Sequence, residues 1–152
     1  EGSRAFLVEV QALVSDANFG TSQRVAVGFV HKKLAILIAI IEKNLDIQLR
    51  QSDVFINLTG GIQSDDTSLD LTTICAIISS YTDRTIAPKT LVMGEVGLNG
   101  EIRPVSYAEN RVKEAIRLGY QNIILSEKNK VTGKKANLIR ISHLSELLKK
   151  LL

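Results

Sequence analysis

The sequence is poor in several residue types, and each shortage closes off a class of function. It has no Trp and only 5% aromatic residues, which argues against a ring platform for stacking single-stranded bases. One cysteine, Cys75, and two distant histidines, His31 and His143, are too few to build a structural zinc site. A lone Cys cannot close an internal disulfide, so a reducing compartment, the cytoplasm, is the expected location. Cys75 falls inside an apolar helical pattern and reads as a small core residue. No apolar run approaches the roughly 20 residues that cross a bilayer. The longest, LAILIAII at 34–41, is bracketed by Lys32, Lys33, Glu42 and Lys43 and reads as buried helix, so no membrane partner is expected. No charged, apolar and small-residue series of a signal peptide opens the chain. It starts at Glu1 without an initiator Met, which predicts a fragment of a longer protein.

What is present suits one compact domain. The chain has 152 residues, 45% of them hydrophobic, enough to bury a core without disulfides or metals. No internal repeat or low-complexity linker interrupts it, so a single domain is expected over residues 4–152. Patterns rich in β-formers predict strands at 5–14, 23–29, 53–59, 90–96, 101–105, 121–127 and 138–141, the second antiparallel to the first. Apolar residues at helical spacing predict helices at 31–45, 65–82, 106–119 and 142–152. Thr67 and Asp70 approximate a capping box for the second helix, and Gly119 is a natural stop for the third. Paired strands followed by interleaved strands and helices argue for an α+β domain of mixed α/β layers.

The stretch GEVGLNGEIRPV, at 94–105, carries Gly94, Gly97 and Gly100. A nucleotide P-loop needs a Lys-Ser/Thr pair after its glycines, and a dinucleotide fingerprint must open a helix. Neither fits here, because apolar β-formers continue on both sides. The stretch reads as a β-hairpin turning at Asn99-Gly100, a pair suited to positive φ. Pro104 then marks the exit toward the helix at 106.

This hairpin, followed by AENRVKEAIRLGYQNIILSEKN, closely resembles the C-terminal domain of the bacterial RadA (Sms) DNA repair and recombination ATPases. LVEVQALV, FGTSQRVAVG and DVFINLTGG resemble the same family's earlier motifs, in order, so the resemblance covers essentially the whole chain. That domain is similar to the proteolytic domain of Lon proteases, which implies a Lon-like fold of the ribosomal protein S5 domain 2-like class. The Lon-like domain of magnesium-chelatase-type ATPases shares the hairpin and is the neighbouring alternative. The opening LVEVQALVSDANFGTSQRVAVG favours RadA.

Lon proteolysis uses a Ser activated by a neutral Lys. The resemblance puts Ser68 of DDTSLDL at the nucleophile's position. Counting from Pro104 puts Glu109 at the lysine's position. A carboxylate there changes the charge of the site. Arg111 is close in sequence but stays protonated, and Lys113 is out of register. Leu69 and Asp70 replace the small residues expected after the serine, and Asp70 would oppose an oxyanion. Ser68 therefore reads as an ordinary first-turn residue and the domain as a pseudo-protease, with an active Ser/Lys peptidase as the alternative. His31 and His143 read as surface or capping residues.

The resemblance further implies a homo-hexameric ring in which this domain is scaffold and double-stranded DNA contact. The missing N-terminal part would hold a zinc finger and a RecA-like ATPase core, with ATP, Mg and Zn bound there and no cofactor here. The RecA recombinase is an implied partner through the full-length protein, which would drive ATP-dependent branch migration in homologous recombination. A net charge of +3 per copy is weak evidence for DNA by itself, but a ring would concentrate it. Candidate phosphate contacts are Arg24, Lys32, Lys33, Arg84, Arg103 and Arg111, with Lys128, Lys130, Lys134 and Lys135 in a late basic loop. Arg24 and Arg103 stand out because rigid strands would hold them. Assembly alone, with DNA left to the ATPase core, is the remaining alternative.

Overall fold

A computed structural model describes residues 5–17, 20–132 and 135–151. Among these residues, three small sheets and four α-helices form a mixed α+β arrangement. The first sheet holds β1 (Val10–Asp16), β2 (Arg24–Val27) and β3 (Ser52–Leu58) in the order β1-β3-β2. β3 pairs antiparallel with β1, from Val10↔Leu58 to Asp16↔Ser52, and parallel with β2, from Arg24↔Val54 to Val27↔Asn57. β2 thus runs antiparallel to β1 as expected, but not beside it. The reason is the helix α1 (His31–Asn44), a crossover that carries the chain from β2 to a parallel β3 inserted between the first two strands. The first strand is also shorter than its pattern: pairing begins at Val10, and residues 5–9 lie outside it.

α1 presents Leu34, Leu37, Ile38 and Ile41 at helical spacing, all buried. They meet Val54, Ile56 and Leu58, the inward-facing alternate residues of β3. α2 (Leu69–Thr82) joins the same core through Leu71, Ile74, Cys75 and Ile78. It also lies along β1, where the Val14 amide donates to Ser80 Oγ at 2.9 Å.

The second sheet has the order β4 (Thr90–Val92), β7 (Asn122–Ser126), β8 (Asn137–Ile141), all parallel. β7 is buried on both faces, which explains its uninterrupted apolar run. Ile124 points into the core under α1 and α2. Ile123 and Leu125 point the other way, against Val112 and Ala115 of α3 (Ala108–Arg117). The last predicted helix is a single 3-10 turn, Leu144–Glu146, running into α4 (Leu147–Leu151). His143 caps that turn: its Nδ1 accepts from the Ser145 amide at 3.0 Å.

The glycine-rich stretch forms the antiparallel pair β5 (Glu95–Val96) and β6 (Ile102–Arg103). The Gly100 amide donates to Gly97 O and the Gly97 amide to Glu101 O, both at 2.9 Å. The turn therefore centres on Leu98 and Asn99, and Gly100 alone takes positive φ, at +81°. The predicted Asn99-Gly100 two-residue turn is corrected to a three-residue loop closed by a left-handed glycine. A Cβ on Gly100 would stand 2.7 Å from His143 Nε2 and 2.9 Å from Asn44 Cγ, so packing as well as φ requires glycine there. Gly94 has a different reason: a Cβ would press Leu71 at 3.0 Å, where the hairpin base crosses α2.

Candidate functional site

Ser68 stands at the end of the turn that opens α2, one residue before its first helical position, and is only 5% exposed. The Asp66 carboxylate bends back over this turn, its Oδ1 accepting from the Ser68 amide at 2.9 Å. That is an Asx arrangement, and it replaces the predicted capping box. Asp70 cannot close the box because its side chain turns inward. It is fully buried, with Oδ2 accepting from the Val96 amide at 3.2 Å and paired with Lys33 Nζ at 3.3 Å. Burial raises its pKa, against the pull of Val96 and Lys33. One aspartate thus ties α2 to α1 and to the hairpin.

The group that faces Ser68 is Arg111. Its Nη1 donates to Ser68 Oγ at 2.8 Å, its Nη2 pairs with Asp66 Oδ2 at 3.4 Å, and its Nε donates to Ser106 O at 2.9 Å. Glu109, which counting from Pro104 puts opposite the serine, lies elsewhere: its Oε1 accepts from the Thr132 amide at 2.8 Å. The cause is local. Tyr107, at the start of α3, has φ +56°, a left-handed residue that redirects the chain just after the proline. Asn129, 6% exposed, pins the approach by bonding both the amide and the carbonyl of Val105, at 3.1 and 2.9 Å. Burial works against the Asp66 carboxylate, but the Ser68 amide and hydroxyl and the Arg111 charge together hold its pKa below the usual value.

This geometry limits the chemistry. A guanidinium in a protein stays protonated, so Arg111 donates to Ser68 Oγ and cannot take its proton. The amides at the start of α2 are spent on backbone carbonyls: Leu69 on Asp66, Asp70 on Thr67, and Leu71 on Gly94, at 3.0 to 3.1 Å. None of the three is left to stabilise an oxyanion. Cys75 is buried and its thiol pKa is pushed up by desolvation, so it offers no second nucleophile. Among the described residues, no group of three or more His, Cys, Asp or Glu is placed to hold a metal ion. Among them too, no helix is long and apolar enough to cross a membrane.

The candidate phosphate contacts divide by what their charges already do. Arg24 is consumed by the backbone: its guanidinium donates to Leu49 O at 2.8 Å and to Ser52 O. It clamps the turn that leads into β3. Lys33 is committed to Asp70, and Arg111 to Ser68 and Asp66. Arg103 is exposed and holds only Glu101, at 3.0 Å. Lys32, Arg84, Lys128, Lys130 and Lys135 are exposed, and Lys134 lies outside the described residues. Asp66 is legible in the sequence, as one of three good helix-capping residues, Asp65, Asp66 and Thr67, just before Ser68, whereas nothing in the sequence marks Asn129 as an organiser.

A family described as subunit ChlI of Mg-chelatase matches residues 25–129. Curated relatives are named DNA repair protein RadA. The one from Bacillus subtilis (strain 168) is 40% identical over 85% of this chain and 28% of its own length. The one from Helicobacter pylori (strain ATCC 700392 / 26695) is 45% identical over 84% of this chain and 29% of its own length. The one from Listeria monocytogenes serovar 1/2a is 36% identical over 100% of this chain and 34% of its own length. The chain therefore spans about a third or less of the relatives it matches.

Proposed function

The chain belongs to the family of the ChlI subunit of Mg-chelatase and is homologous to RadA DNA repair proteins, and from that premise we propose that it is the non-catalytic Lon-like domain of a RadA-type repair ATPase. In this reading the domain has the Lon proteolytic-domain fold without its chemistry. It scaffolds a homo-hexamer and offers a double-stranded DNA surface during homologous recombination and branch migration. The ATPase core with its ATP and Mg, and the zinc finger with its Zn, belong to the rest of the protein, as does any contact with the RecA recombinase. The action is cytoplasmic.

One observation carries the non-catalytic half: the cation at Ser68 is Arg111, a donor that cannot act as base. The DNA half is supported by the repair function in the relatives' name and by the basic residues left unspent. We assign phosphate contact to Lys32, Arg84 and Arg103, while Arg24, Lys33 and Arg111 hold the fold together. A magnesium-chelatase-type role has the family description on its side, but the relatives at 36–45% identity are named for DNA repair.

The test is fluorescence anisotropy of a labelled duplex against the chain at rising KCl. Affinity should fall steeply with salt, because phosphate contacts release counterions. An affinity independent of salt would refute the DNA surface. Light scattering with and without duplex would show whether this domain forms the ring.

A further inference from the structure

The first sheet is covered on one face only. Val54, Ile56 and Leu58 of β3 turn inward under α1 and α2, and the opposite face lies open. An open sheet face normally carries the polar half of an alternating pattern. This one carries an apolar row. Leu13, Phe55 and Val25 stand side by side across the three strands, by the register Leu13↔Phe55 and Val25↔Phe55. Val27 extends the row along β2, and Leu13 and Val27 are 56% and 57% exposed. The charged residues on this face are both acidic. Asp53 lies on β3, and Glu9 continues the β1–β3 ladder through its carbonyl, which accepts from the Thr59 amide at 3.1 Å. Asp53 accepts from the Gln23 amide, a neutral donor, so neither carboxylate is ion-paired among the described residues. Arg24, the one cation of these strands, alternates with Val25 and is spent on the carbonyls of Leu49 and Ser52.

A second unpartnered face lies on α1. Its inner side supplies the core, but its outer side lacks the polar surface that an amphipathic helix shows to water. Ala35, Ile36 and Ala39 are exposed and share one stripe with Lys32 and Lys43 at helical spacing. Ile36 is 45% exposed. No carboxylate falls on this stripe. Glu42, the one acid of α1, is turned to the Leu49 amide at 2.8 Å, and Asp46 lies past the Leu45 cap. Lys32 and Lys43 hold no ion pair among the described residues. The chain thus exposes two apolar surfaces, one edged only by carboxylates and one only by lysines.

We propose that these two faces bind each other between copies of this chain, the α1 stripe of one copy packing on the open sheet face of the next. A helix layered on a sheet is how such surfaces are ordinarily buried within one domain. Ile36, between two alanines, forms a narrow apolar ridge, and the row Leu13–Phe55–Val25 forms a flat apolar bed. Charge selects this pairing over the symmetric ones. Sheet on sheet would set Asp53 and Glu9 against their own copies, and helix on helix would do the same with the lysines. The mixed contact joins opposite signs. It is head-to-tail, so each copy keeps one free face for a further copy, and the series closes into a ring or continues as a filament. Lys32, at the end of the stripe, stays on the rim within reach of a phosphate. The contact rests on the two faces themselves, and its closure at six copies rests on the proposed hexamer.

The test is sedimentation of the 152-residue chain over rising concentration, with one substitution blocking each face: Ile36→Glu on the helix and Leu13→Glu on the sheet. Both positions are exposed, and urea midpoints close to that of the unaltered chain would show that both variants fold. Val27→Glu is a second block of the sheet face should Leu13→Glu not fold. The unaltered chain should associate, and each variant alone should associate at least tenfold more weakly. An equimolar mixture of the two should form dimers and nothing larger, because one intact stripe then meets one intact bed. An unaltered chain that stays monomeric, association unmoved by either substitution, or a mixture no larger than its separate parts would each overturn the proposal. An assembly of some other copy number that both substitutions break would uphold the contact and refute the hexamer. A hexamer that survives both would do the reverse.

Discussion

Arg111 Nη1 lies 2.8 Å from Ser68 Oγ, across 43 residues of sequence, and joins the start of α3 to the start of α2. The bond places a permanent cation where a serine peptidase would need a neutral base. The chain should hydrolyse neither casein nor fluorogenic peptides, and Ser68→Ala should leave any background rate unchanged. Turnover that vanishes in Ser68→Ala would restore the peptidase alternative. The same substitution removes one charge-assisted bond and should cost about 1–2 kcal/mol of stability by urea titration.

The Ser68–Arg111 contact is a long-range one that no local pattern encodes. Helices α1 and α2 were legible because their apolar residues repeat at helical spacing, and β3 because it alternates. Counting from Pro104 gives a position along the chain but not the direction of its side chain, which depends here on Tyr107, left-handed at φ +56° in a residue type that carries no such signal. The Thr67–Asp70 box failed for a related reason. Asp70 is drawn inward by Val96 and Lys33, which are remote in sequence. The neighbour of β2 likewise depends on where β3 inserts, a long-range choice that no local pattern encodes.

Lys33 and Asp70 give a pH-dependent prediction. Burial raises the Asp70 pKa in the fold above its value in the unfolded chain. Its contribution to stability is therefore greatest below the unfolded value and is lost as pH rises through the folded one. Lys33 offsets this loss at neutral pH. Lys33→Met should then cost about 2 kcal/mol at pH 7, less than a fully buried pair because Lys33 is partly exposed. The deficit should shrink as pH falls and Asp70 takes a proton. Chemical denaturation at pH 7 and pH 4 measures it, and an equal deficit at both values would show that the pair is electrostatically idle.

The hairpin loop separates two neighbouring residues. Gly100→Ala forces a Cβ into left-handed backbone and against His143 and Asn44. It should cost about 2–3 kcal/mol, or roughly 5–10 °C in Tm. Asn99→Ala should cost less than about 0.5 kcal/mol, as expected of a surface position with no special backbone. Equal losses at both positions would mean that Asn99 shares the strain, as in a two-residue turn.

The DNA reading makes its sharpest prediction where sequence and structure part. The sequence singles out Arg24 and Arg103 alike, but their guanidiniums differ in employment. Arg103 is exposed and holds only Glu101, a surface pair worth at most about 1 kcal/mol, which a phosphate can displace. Arg24 is fixed on the carbonyls of Leu49 and Ser52. Arg103→Ala should weaken duplex binding while leaving Tm within a few degrees. It should also reduce the slope of log affinity against log salt by about 0.9, one phosphate contact. Lys32→Ala and Arg84→Ala should act the same way. Arg24→Ala should do the reverse, lowering stability by about 1–3 kcal/mol because two carbonyls lose a charged donor, with the salt slope unchanged. A stable Arg24→Ala protein with a reduced slope would move the DNA surface to the β2 side of the first sheet and refute this assignment.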